Sequence, residues 1–123
     1  ADTFAENETD FHYTIQLPEN LPYSDTDITS ILSNALENAL HAVLLLPAGK
    51  RRIELRMIQK SGKILISLSN PYAAKPTLVN GIPVSTKKEH GFGTQSIQYT
   101  TEKLNGNCQF IVTEEEFVLQ IVL

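Results

Sequence analysis

The chain contains a single cysteine, Cys108, so no disulfide can form within it. That thiol falls in an alternating apolar run, where a buried structural role fits better than a reactive one. A reducing compartment suits it. No block of basic residues interrupts a net charge of −4, so charge alone offers neither a nucleic-acid surface nor an anionic-membrane surface. The longest apolar run, Ala42 to Leu46 before Pro47, is far too short to span a bilayer, and the N-terminus lacks a signal-peptide pattern. These absences point to a cytosolic domain. Repeats and low-complexity tracts are also missing. What remains is 123 residues with 41% hydrophobic content, enough for one domain with a sizeable core. The chain starts at Ala1 rather than methionine, which suits a piece cut from something longer.

A polar leader, residues 1–10, precedes the expected domain, residues 11–123. Phe11 to Leu17 alternates like a strand and stops at Pro18. Ser24-Asp25-Thr26-Asp27 offers a capping box ahead of Ile28, and the helical pattern then runs to about Leu46, roughly 30 Å, before Pro47 and Gly49. Arg52 to Gln59 and Lys63 to Ser69 alternate around Ser61-Gly62, a hairpin with Ile53, Leu55, Met57, Ile64, Ile66 and Leu68 facing inward. Pro71 to His90 shows no sustained periodicity and reads as a long loop with a turn at Asn80-Gly81. Gly91-Phe92-Gly93 then opens a second helix, closed by Asn105-Gly106. A last hairpin, Cys108 to Thr113 and Phe117 to Leu123, turns at Glu114-Glu115-Glu116. The order predicts an α+β fold, a two-layer α/β sandwich in which helices cover one face of a mixed, mainly antiparallel sheet.

Two stretches carry chemistry. In "SNALENALH", at 100° per residue, Asp27, Ser30, Asn34, Glu37, Asn38 and His41 share an arc of about 100° on the first helix. A solvated face is the ordinary explanation of such a stripe. Two neutral amides are nonetheless uneconomical for that purpose, which Glu, Lys or Gln serve better in a helix; an amide carbonyl can instead ligate magnesium without adding charge. The second stretch is His90-Gly91-Phe92-Gly93-Thr94, where paired glycines next to a helix start would let backbone approach an anion such as phosphate. A flexible turn explains the same glycines. Lys87 and Lys88 lie just upstream, either to neutralise phosphate or to be solvated.

Taken in order, "ILSNALENAL", "LISLSNPY" and "HGFGTQSI" resemble the asparagine box and the two glycine boxes of the GHKL superfamily, which spans gyrase-type ATPases, chaperones, mismatch-repair ATPases and histidine kinases. The resemblance runs from about Phe11 to Leu123 and is closest to peptide-sensing histidine kinases, whose lid and box look like "NGIPVSTKKEHGFGTQSI". It implies the Bergerat fold, with ATP and Mg2+ as ligands.

Carried over by residue, the resemblance makes Asn38 the ligand of the magnesium that bridges ATP phosphates. Asn34 holds the box position that is a water-activating glutamate in gyrase-like members. An amide is no base at neutral pH, so transfer is implied rather than hydrolysis. His41 stands where many kinases place a lysine near the phosphates. Asn70 replaces the adenine-binding aspartate, and the usual Asp-x-Gly-x-Gly is missing after it. Gly91, Phe92, Gly93 and Thr94 form the phosphate-side box, and Pro71 to Glu89, with Lys87 and Lys88, the mobile lid. His12, His41 and His90 all fall within this unit, so the phosphoacceptor histidine is expected on an upstream dimerisation domain, with a response regulator as the further partner. Nucleic acid and direct membrane contact are not expected, and the domain would be cytoplasmic in a membrane-anchored sensor. Two alternatives are a GHKL serine kinase acting on an anti-sigma partner and a degenerate interaction module that no longer binds nucleotide.

Overall fold

The computed structural model describes residues 8–84 and 88–123, with side chains given for all of these except 88–92. Strand β1 (Asp10–Gln16) leads to helix α1 (Asp25–Val43), a short 3-10 turn (Ala48–Lys50) and the hairpin β2 (Arg52–Lys60) and β3 (Lys63–Pro71). A small hairpin, β4 (Leu78–Val79) and β5 (Ile82–Pro83), precedes helix α2 (Lys88–Lys103), and β6 (Asn107–Val112) and β7 (Glu116–Val122) end the chain. Five strands form one sheet in the order β1-β2-β3-β7-β6; β1 and β2 run parallel and every other pair antiparallel. The expected α+β sandwich with a mixed, mainly antiparallel sheet is the observed one.

Alternation along the strands sets the core. Ile53, Leu55 and Met57 from β2 and Ile64, Ile66 and Leu68 from β3 are all buried, as their spacing predicts. Ile31, Ala35, Ala39 and Val43 repeat every four residues along α1 and bury its inner face, and Ile97 from α2 joins them. Cys108 packs against this core, half-buried, and burial, with Glu102 nearby, pushes its thiol up to about 11. The thiolate is therefore scarce at neutral pH, in keeping with a structural thiol.

Local chemistry accounts for the helix ends. Ser24 caps α1 through its hydroxyl oxygen, which accepts from the Asp27 N–H at 3.1 Å. Asn105 takes the left-handed conformation after α2 (φ 60°), and the Gly106 N–H donates to the Thr101 carbonyl at 2.9 Å, the pairing of a Schellman motif. Gly106 is required by a close approach: a Cβ there would sit 2.6 Å from the Val122 carbonyl oxygen.

Two expectations are corrected. The stretch from Pro71 to His90 is not wholly irregular, because Asn80 and Gly81, both at positive φ (54° and 79°), turn β4 back onto β5. Two consecutive left-handed residues are what a two-residue hairpin turn requires. The second helix does not start at Gly91 but at Lys88, so Gly91, Phe92 and Gly93 lie within its first two turns. Lys88, Glu89 and His90 can all continue a helix, and the ladder extends back across the glycines.

Candidate functional site

The polar stripe of α1 is divided between two neighbours. Toward its N-terminus, the Asp27 carboxylate pairs with the Lys103 ammonium at 3.1 Å, and Asn34 Nδ2 donates to Ser96 Oγ at 3.3 Å and to the Ser30 carbonyl at 3.0 Å. Both cross-helix contacts are to α2, and seven residues forward on α1 correspond to seven residues back on α2. The helices are therefore antiparallel, and the same register carries Asn38 opposite the start of α2, around Gly93.

Beyond the crossing, the stripe opens on a cleft of about 200 Å³. Asn38, His41 and Ala42 line it from α1, the i, i+3, i+4 set of one helical face, and Leu45 lines it from the turn just past the helix end. Asn70 enters from the end of β3 because it continues the inward parity of Ile64, Ile66 and Leu68; only 3% of its surface is exposed. Its Nδ2 donates to the Pro71 carbonyl at 2.7 Å, and no buried side-chain nitrogen or oxygen among the described residues lacks a partner. With its Nδ2 spent on Pro71, the amide group of Asn70 lines the cleft and has a carbonyl oxygen of acceptor character. Thr94, 3% exposed, lines the cleft from α2, and Pro83 and Val84 line it from the β4–β5 hairpin.

Of the residues singled out from the sequence, Asn38, His41, Asn70 and Thr94 are brought together here. Asn34 is not: it is engaged with α2, although it lies one turn from Asn38. Gly93 sits in α2 without a left-handed backbone, and a Cβ on it would meet nothing within 4 Å. Protein packing does not demand a glycine there. Lys87 lies outside the described residues. Lys88, Gly91 and Phe92 belong to the backbone of α2, and nothing further about them enters the site.

Sequence reasoning missed Tyr72 and Phe117, which also line the cleft. Phe117 is paired with Asn70 across β3 and β7, a non-local relationship. Tyr72 directly follows Asn70-Pro71, so adjacency was its available signal.

The profile of a family described as "GHKL domain" matches residues 24–123. The catalytic domain of histidine kinase ThkA, in a nucleotide-free form, superposes with a TM-score of 0.74 at 18% identity, over 99% of this chain and 83% of that one. The mycobacterial sensor histidine kinase MprB gives a TM-score of 0.77 at 15% identity, over 99% of this chain and 86% of that one. A histidine kinase domain from the blue-light-activated kinase of Erythrobacter litoralis gives 0.72 at 13% identity, over 99% of this chain and 59% of that one. No curated protein matches the chain. At these identities the structures show a shared fold.

Proposed function

Because the chain belongs to the GHKL family, we propose that it is the catalytic ATP-binding domain of a sensor histidine kinase, presenting the γ-phosphate of Mg-ATP to a histidine on an upstream dimerisation domain. The observation that carries this reading is the convergence of Asn38, His41, Asn70 and Thr94, from three separate elements, on one cleft.

The donor set fits a magnesium nucleotide. Asn70 offers a carbonyl oxygen fixed by its own amide bond to Pro71, suited to accept from the amino group of adenine. Asn38 offers a neutral amide oxygen suited to magnesium. Among the described residues no three His, Cys, Asp or Glu side chains gather to hold a metal, so the charged ligands of a magnesium ion here would be the nucleotide's phosphates. The open space where a Cβ on Gly93 would project leaves room for a phosphate beside Asn38 on the register described above. His41 and Thr94 add polar groups to the same walls, and Lys87 from the lid and Lys88 from the start of α2 would bring positive charge.

In phosphoryl transfer the protein mainly positions and neutralises. Here that work falls to Asn38 and to the lid, since the helix that begins at Lys88 takes up the N–H groups of Gly91–Gly93. Asn34, an amide held by Ser96, supplies no base to activate water. The phosphoryl group would pass to the acceptor histidine and then to a response regulator. No helix among the described residues is long and apolar enough to cross a membrane; we place the domain on the cytoplasmic side of a membrane-anchored sensor. The cleft is smaller than the roughly 300–1,000 Å³ usual for small-molecule sites. With Pro83 and Val84 on its wall, the β4–β5 hairpin is the part we expect to move when a nucleotide enters.

One observation favours a second reading, an interaction module without nucleotide: Asn70-Pro71-Tyr72 stands where Asp-x-Gly-x-Gly is usual. Calorimetric titration of the chain with Mg-ATP and a non-hydrolysable analogue separates the two. Saturable one-to-one binding, strengthened by magnesium, is expected. Its absence would leave the interaction module.

A further inference from the structure

We infer that Tyr72 is a specificity-determining residue whose ring forms the stacking wall for the purine base; this rests on the nucleotide reading above. Two aromatic rings line the cleft, but they are not equivalent. Phe117 is 7% exposed and belongs to the core, whereas Tyr72 is half-buried and keeps ring surface available to the cleft.

The Tyr72 ring is also held still. Its hydroxyl donates to the Thr113 carbonyl, with the Glu114 carbonyl oxygen also in reach at 3.1 Å, both on the turn between β6 and β7. Lys75 approaches Glu114 of the same turn at 3.9 Å, but both side chains are exposed and the Tyr72 hydroxyl is the contact that holds the segment. A ring fixed at its far end loses little freedom when a base stacks on it.

The walls around it are sorted to suit a base at one end and phosphates at the other. Asn38 lies in the last turns of α1 and Leu45 in the turn just past its end. The polar pair Asn38 and His41 comes first and the apolar pair Ala42 and Leu45 follows. Tyr72, Ala73, Ala74 and Pro76 extend the apolar part, with Asn70 as its acceptor. An apolar slot with one aromatic wall and one fixed acceptor fits a base that stacks and donates through an exocyclic amino group. A rigid tyrosine thus supplies by stacking the affinity that the missing glycine box would supply by close backbone approach.

The test is calorimetric titration of the 123-residue chain and of Tyr72→Ala and Tyr72→Phe with Mg-ATP and with magnesium tripolyphosphate, after circular dichroism has shown each variant folded. Tyr72→Ala should weaken Mg-ATP binding about tenfold or more, in line with the worth of base stacking, and leave tripolyphosphate unchanged. Tyr72→Phe keeps the ring and should stay within about threefold of wild type for Mg-ATP. Unchanged Mg-ATP affinity in Tyr72→Ala overturns the assignment while leaving the nucleotide reading intact. So does a loss in Tyr72→Phe as large as in Tyr72→Ala, which would make the hydroxyl anchor, not the ring face, the contribution. Failure of the wild-type chain to bind Mg-ATP at all would instead overturn the nucleotide reading, and this inference with it.

Discussion

Asn34 on α1 donates to Ser96 on α2 at 3.3 Å, so the first of the two asparagines joins the helices and the second, Asn38, faces the cleft. The contact is half-buried and between neutral groups, worth about 1 kcal/mol net. Asn34→Ala and Ser96→Ala should each lower unfolding free energy by about that amount. The double variant should cost less than the sum of the two, and chemical denaturation would measure this. Full additivity would show that the contact contributes nothing. Because a carboxylate placed at 34 would meet α2 before it met the cleft, Asn34→Glu should leave ATP hydrolysis slow. A rise to sustained turnover would contradict this placement.

Asn38→Ala should weaken nucleotide binding about tenfold, a loss of about 1.4 kcal/mol, when magnesium is present. In chelator the variant and the wild type should bind alike, since the lost group is a metal ligand rather than a contact to the base. Equal weakening in both conditions would remove that role. His41→Ala should matter much less.

Gly93→Val separates ligand approach from fold. The residue is helical, without positive φ and with open space where a Cβ would go, so stability should change by less than about 0.5 kcal/mol. Mg-ATP affinity should nonetheless fall, because the valine would occupy room that a phosphate needs. Unchanged affinity would favour the interaction module.

The lid is expected to respond in only one of its parts. Tyr72 is tied to the β6–β7 turn through its hydroxyl, while the β4–β5 hairpin lies on the cleft wall. Amide exchange across 78–84 should slow when Mg-ATP saturates the site, as Lys87 or Lys88 gains a phosphate partner. Exchange near Tyr72 should change little. If 78–84 does not respond while α1 does, the hairpin is not a lid.

Asp27 contributes to the acid limb of stability. The Lys103 ammonium bonded to it, helped by the Ser24 hydroxyl, holds its carboxyl below the ordinary 3.8 against a smaller opposing effect of burial. A depressed carboxyl contributes stability that is present above its unfolded value and is lost as pH falls through the folded one. Stability should therefore fall below about pH 4, and Lys103→Met should flatten that part of the profile. An identical acid limb in the variant would show that the pair does not stabilise the fold.

Strand alternation by itself determined the inward rows of β2 and β3, and with them the burial of Asn70, because the pleat leaves a side chain only two faces. Helical periodicity likewise placed Asn34, Asn38 and His41 on one stripe, and Asn80-Gly81 marked a turn that only left-handed backbone can make. None of this shows where α2 crosses α1. That crossing, a long-range packing decision, covers the stripe at Asn34 and leaves it open at Asn38, so two asparagines alike in sequence have different work. The same holds for Tyr72, which reads as a loop residue until β6 and β7 bring the carbonyls of Thr113 and Glu114 to its hydroxyl. Local patterns decide which face a side chain takes; what meets it there depends on contacts between residues tens of positions apart, which no periodicity encodes.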